Sequence, residues 1–93
     1  MPKRKTKPKN KIHPNRLWCA EFDDEMLFAD GFDDCIIGVT SGIEQVVVYD
    51  KDLMIDELAS QGMDVDEAIE YLEYNTWGAY VGEKTPIYIT LKK

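Results

Sequence analysis

The sequence predicts an α+β domain: a small three-stranded, mostly antiparallel sheet with a helical hairpin packed on one face. Three observations carry this expectation. Two short apolar runs, Cys35-Ile36-Ile37-Gly38-Val39 and Val46-Val47-Val48-Tyr49, are rich in β-branched residues and bounded by turn formers. After them, two amphipathic segments meet at Gly62-Met63, where a left-handed residue lets one helix end and a second begin. Last, Ile87-Tyr88-Ile89-Thr90-Leu91 alternates apolar and polar-tipped side chains, the two-residue period of a strand.

The N-terminus comes first in the chain and fits none of this. Residues 1–16 hold Lys3, Arg4, Lys5, Lys7, Lys9, Lys11 and Arg16, seven of the eleven basic residues, and no acid. Pro2, Pro8 and Pro14 interrupt the segment, and Ile12 is its only large aliphatic residue after Met1. It buries too little apolar surface to offset chain entropy, so residues 1–16 are expected to be a disordered basic tail. Residues 17–93 are then a single acidic domain, with all eighteen acids against four lysines, a formal charge of −14.

Within that domain, Phe22, Met26 and Ala29 suit a short helical face that Gly31 would end. The two apolar runs follow, and the six residues between them, 40–45, are short enough for an antiparallel hairpin. Asp50 or Asp52 can cap a helix through about Gln61, with Leu53, Met54, Leu58 and Ala59 on its apolar side. Asp64 opens the second helix, with Glu67 placed for a capping box. Val65, Ala68, Ile69 and Leu72 form its core-facing stripe, and Asn75 and Gly78 mark its end. A loop rich in glycine and aromatics, residues 75–86, leads into the last strand.

Composition bounds the function. Ninety-three residues make one domain, and 44% hydrophobic residues suffice for a core. Two cysteines exclude a disulfide-dense mini-protein and are expected as reduced thiols, Cys35 packing in the core. No apolar stretch follows the basic residues as in a secretory signal, and no run reaches membrane-spanning length. The expected location is the cytosol, without membrane contact.

Catalytic constellations are weak. The only histidine, His13, falls in the tail, where no fixed geometry would hold it beside a nucleophile. Asp23, Asp24, Asp33 and Asp34 are oxygen ligands of the kind Mg²⁺ prefers. Their spacing nevertheless fails a calcium loop, because Gly31 comes too early after Asp30. Gly78 and Gly82 lie four apart, not five, ahead of Lys84-Thr85, and no helix is expected after Pro86, so this is no phosphate loop. The expectation is a non-enzyme without catalytic residues, metal or cofactor.

Charge patterning is the stronger signal. Asp66, Glu70 and Glu73 lie at i, i+4 and i+7 on the second helix, and Asp52 and Asp56 repeat the i, i+4 relation on the first. None has a Lys or Arg at i+4, and like pairs at that spacing cost a few tenths of a kcal/mol each. The leading expectation is an interaction protein that offers this acidic helical face to a basic host-protein surface, with nucleic-acid mimicry as one way of doing so. Trp77 and Tyr80 would contribute aromatic contacts beside it. The alternative is a weak nucleic-acid binder using the tail cations Lys3, Arg4, Lys5, Lys7, Lys9, Lys11 and Arg16, with a log–log salt slope of about −6. The tail could equally fold onto the acidic body, which leaves the oligomeric state open.

The folded part also resembles a family of small, uncharacterised bacteriophage proteins. The resemblance rests on Phe32-Asp33-Asp34 before Ile36-Ile37-Gly38-Val39, then Tyr49-Asp50, Gly62-Met63, Glu67-Ala68, Glu70-Tyr71, Asn75, Gly78-Ala79-Tyr80, Gly82 and Thr85-Pro86. It spans roughly residues 32–89 and leaves out the basic tail. What it implies is a phage origin, expression in the cytosol of a bacterial host, and a compact α+β body. It implies no activity.

Overall fold

The structure, a computed structural model, describes residues 12–92. Its elements run α1 (Pro14–Ala20), a 3₁₀ turn (Asp33–Cys35), β1 (Ile36–Val39), β2 (Val47–Asp50), α2 (Lys51–Ser60), α3 (Val65–Leu72), a π-helical turn (Glu73–Trp77) and β3 (Ile87–Ile89). The α+β class and the helical hairpin stand as expected.

Local chemistry accounts for the hairpin. The Asp50 side chain accepts the Asp52 N–H at 2.9 Å and starts α2 directly from the end of β2. At the other end, the Gly62 N–H donates to Ala59 O at 3.0 Å and the Met63 N–H to Leu58 O at 3.2 Å. These two bonds make a Schellman ending, and Gly62 supplies the φ of +103° it needs. Asp64 and Glu67 then form the capping box of α3. Past α3 the chain tightens around Gly78, where a Cβ would stand only 3.3 Å from the Glu73 carbonyl oxygen.

The sheet order is β1-β2-β3, and it is mixed. β1 and β2 pair antiparallel, with Val39 opposite Val47 and a bulge between Ile36 and Gly38. β2 and β3 pair in parallel, with Val48 opposite Ile87 and Asp50 opposite Ile89. The second pair modifies the mostly antiparallel expectation, and the connection explains it. Trp77, just past α3, touches Lys51 and Met54 at the start of α2, so the chain has returned to the end of β2. Residues 78–86 then carry it back beside Val48 before β3 begins, which makes the strands run the same way.

One core joins the layers. Cys19, Phe32, Cys35, Ile36, Val47, Tyr49, Met54, Leu58, Ala68 and Leu72 form a single buried cluster. Tyr49 is fully buried, its ring stacks on that of its register partner Tyr88 at 5.4 Å, and its hydroxyl accepts the Ala29 N–H at 2.8 Å. That bond ties the irregular segment before β1 onto the sheet.

The N-terminal region differs from the sequence expectation in two ways. A helix begins at Pro14, inside the segment assigned to the tail, with His13 as its cap: Nδ1 accepts the Asn15 N–H at 3.0 Å. Proline at the first helical position costs nothing, because its missing N–H would be unpaired there anyway. The second difference is that Phe22, Met26 and Ala29 share no helix. Residues 21–32 are irregular, and Met26 and Phe32 reach the core from loop backbone. The other cations read as tail, Lys3 through Lys11, lie outside the described residues.

Candidate functional site

Two sets of acids stand out, apart from Glu21, Asp24, Glu25 and Glu83, which are exposed and in no ion pair among the described residues. In the first, each carboxylate meets a cation or a polar group of the chain itself. Arg16 Nε donates to Asp33 Oδ1 at 2.8 Å and its Nη2 to Asp30 Oδ1 at 3.0 Å. His13 Nε2 lies 2.7 Å from Asp34 Oδ1. Lys84 Nζ binds Asp23 and also reaches Glu44 Oε1 at 3.0 Å. Lys84 thereby clasps three segments: the loop before β1, the β1–β2 hairpin and the loop before β3. Its backbone oxygen accepts the Leu27 N–H at 3.4 Å and closes the same junction.

Electrostatics follow the contacts. The Lys84 ammonium, then the Glu25 N–H, hold the Asp23 carboxyl below its ordinary value. Asp23 and Glu44 in turn raise Lys84. Burial pushes the Cys35 thiol up to about 11, helped by Glu57, Asp34, Asp50 and Asp56. Burial first, then Asp33, raises Cys19. Both cysteines are free thiols packed in the core, and neither environment favours a thiolate.

Arg16 is therefore a correction to the nucleic-acid alternative. It is part of the folded body, committed to Asp30 and Asp33, and its guanidinium lies 4.5 Å over the Phe28 ring. His13 is held as well, contrary to the expectation that no geometry fixes it. The carboxylates read as candidate metal ligands are drawn to separate partners, Asp23 to Lys84, Asp33 to Arg16 and Asp34 to His13. Among the described residues no group of three or more His, Cys, Asp or Glu is gathered as a metal site.

The second set lies on the hairpin. Asp56, Asp66, Glu70 and Glu73 are exposed, and no ion pair joins them to a described cation. Glu73 closes α3 and opens the π-helical turn that continues to Trp77. Asp52 belongs apart from these: it is half-buried and has a partner within the chain. Glu57 on α2 is bound by Gln61 Nε2 at 2.9 Å.

Beside Glu70 runs an open groove of about 450 Å³, lined by Met63, Glu67, Glu70, Tyr71, Tyr74 and Asn75. Tyr74 is 83% exposed and Tyr71 45%. The π-helical turn places Tyr74 there, two residues past the regular helix, and Asn75 Nδ2 bonds back to Tyr71 O at 2.9 Å. Sequence reasoning named Glu70 and missed the groove. The only available signal was two tyrosines three apart at the end of an acidic helix, and it needs the wider turn to acquire a position.

Trp77 and Tyr80 part company with α3. They line a different cleft, of about 500 Å³, with Lys51, Glu83, Ile87 and Tyr88. Trp77 is half-buried there: its Nε1 donates to Met54 Sδ at 3.5 Å, and Lys51 Nζ sits 4.2 Å over its ring. It covers the start of α2, while Tyr80 is 76% exposed. Compared with known protein families, curated proteins and solved structures, the chain matches none. No helix among the described residues is long and apolar enough to cross a membrane.

Proposed function

We propose that this chain is a non-enzymatic interaction protein whose α3 face, Asp66, Glu70 and Glu73 with the neighbouring Tyr71 and Tyr74, docks onto a basic surface of another protein. One observation carries the reading: Arg16, His13 and Lys84 are spent on Asp23, Asp30, Asp33, Asp34 and Glu44, while the three α3 acids, set at helical spacing on one face, have no described counterion. A cationic partner would relieve the repulsion within that row. Exposed tyrosines beside the carboxylates add apolar contact area at little entropic cost.

Phosphate mimicry is the narrower form of this proposal. The interval from Asp66 to Glu73 covers about 10 Å of helix axis, so three carboxylates fall about 5 Å apart along it. Duplex DNA carries one charge per about 3.4 Å on each strand. The row is sparser than phosphate and suits a basic patch on a protein better than a full nucleic-acid groove. A phage accessory factor acting on a protein of its bacterial host is the setting that the sequence resemblance suggests for this activity.

The test is a triple substitution, Asp66→Lys, Glu70→Lys and Glu73→Lys, in the full chain. Wild type should bind a defined cationic probe, poly-lysine, in calorimetry at low salt and retain basic proteins from a bacterial lysate. The variant should lose both while keeping its circular dichroism. Undiminished binding by the folded variant would refute the reading.

A further inference from the structure

The α1 helix is mounted with its polarity reversed. Its inner side is polar and fixed: Asn15 Nδ2 donates to Asp33 O at 2.8 Å, and Arg16 reaches Asp30 and Asp33. Only Cys19 enters the core from this helix. The opposite side turns apolar groups to solvent. Leu17 is 52% exposed and Trp18 43%, and Phe22, in edge contact with Trp18 at 4.8 Å, is 48% exposed. Ile12 continues this surface and, with Leu17, borders an open hollow of about 630 Å³. A cluster of large apolar side chains on a folded surface marks an interaction site, and tryptophan is the residue most enriched at interface hot spots.

The chain that leads into this helix specifies the occupant. Residues 1–11 carry Lys3, Arg4, Lys5, Lys7, Lys9 and Lys11 with no acid. A complementary surface therefore has to be apolar next to Leu17 and Trp18 and acidic beyond Ile12. This protein has such a surface, the α3 groove, where Met63, Tyr71 and Tyr74 adjoin Glu67 and Glu70. Eleven residues can extend about 35 Å, ample to follow α3, whose eight residues rise about 12 Å.

We infer that α1 and the preceding basic segment of one molecule dock in the α3 groove of a second copy. The contact is made between molecules because α1 is held against its own body by His13–Asp34, Asn15–Asp33 and Arg16–Asp30/Asp33, so Trp18 is not free to travel to the α3 of its own chain. An anionic membrane or a nucleic acid satisfies the surface less well, because Glu21, Asp24 and Glu25 are exposed beside Phe22. The inference shares Glu70, Tyr71 and Tyr74 with the proposed function but also needs the α1 stripe, so Trp18→Ala can break the one while the α3 face of the other stays intact.

Complementation between two full-length variants tests it. Trp18→Ala removes the stripe's anchor and keeps the groove; Tyr74→Ala removes the groove's wall and keeps the stripe. Both side chains lie outside the buried core cluster, so both variants should fold, which circular dichroism checks. In sedimentation velocity at 50 mM salt, wild type should show a mass above the 10.7 kDa monomer that rises with concentration. Each variant alone should associate about tenfold or more weakly, and mixing the two should restore association. Poly-lysine binding by Trp18→Ala should be at least as strong as that of wild type, since α3 is intact and less of it is occupied by other copies. A wild-type chain monomeric at 200 μM, an unchanged mass for Trp18→Ala, or cross-links from the basic segment only to its own body would each overturn the inference.

Discussion

Residues 21–34 and residues 64–73 are both acid-rich, and the fold treats them in opposite ways. In the first segment, Asp23, Asp30, Asp33 and Asp34 are bound by Lys84, Arg16 and His13 and hold irregular backbone in place, while Glu21, Asp24 and Glu25 stay exposed. In the second, Asp64 and Glu67 are used to start α3, and Asp66, Glu70 and Glu73 are left on its outer side. The difference shows what each segment requires. A loop has no repeating backbone hydrogen bonds, so side-chain bonds must fix it. A capped helix resting on Ala68 and Leu72 is already fixed, and its outer acids add nothing to the fold.

The comparison can be broken at several points. The largest effect should come from the core shared by both segments: Leu72→Ala, at a fully buried position, should cost about 2–5 kcal/mol in urea unfolding. Next, Arg16→Gln leaves the partly buried Asp33 without its charged partner and should cost about 1–3 kcal/mol. A cost near zero there would mean that the N-terminal acids are as idle as those of α3. By contrast, changing Asp66, Glu70 and Glu73 together to Gln should shift stability by no more than a few tenths of a kcal/mol, the relieved like-charge pairs offsetting the loss of Asp66 from the first turn of α3, while abolishing poly-lysine binding.

The finest distinction is in pH. Asp23 has a folded value held below its ordinary one, so its bond to Lys84 contributes stability above the ordinary aspartate pKa of about 3.9. That contribution disappears as pH falls through the folded value. Lys84, raised in the folded state, loses its share as pH rises above the ordinary lysine value of about 10.4. Thermal melts of Asp23→Asn should therefore lie below wild type at neutral pH and converge with it in acid. Parallel melting curves down to pH 2 would mean that the clasp does not stabilise the fold.

Legibility followed the same division. The Asp50 cap, the Gly62-Met63 ending and the Asp64/Glu67 box were readable because each operates within about six residues. The antiparallel pairing of β1 with β2 was readable because the link between the two runs is only six residues long, while the bulge between Ile36 and Gly38 that sets its register was not. The α1 helix was obscured by the basic composition around it, since what holds Asn15 and Arg16 lies fourteen to eighteen residues on. Lys84 looked like part of a failed glycine motif, and its partners Asp23 and Glu44 are 61 and 40 residues away.

Sequence by itself determined the α+β class, the helical hairpin and the row of acids on the second helix, because these depend on periodicity and on contacts between near neighbours. Tertiary structure alone decided that β3 runs parallel to β2, that Arg16, His13 and Lys84 bind Asp23, Asp30, Asp33, Asp34 and Glu44, and that α1 shows its apolar side to solvent. Pairing over such separations depends on how the whole chain closes around Tyr49 and Leu72, and no local pattern encodes which distant cation arrives beside which carboxylate.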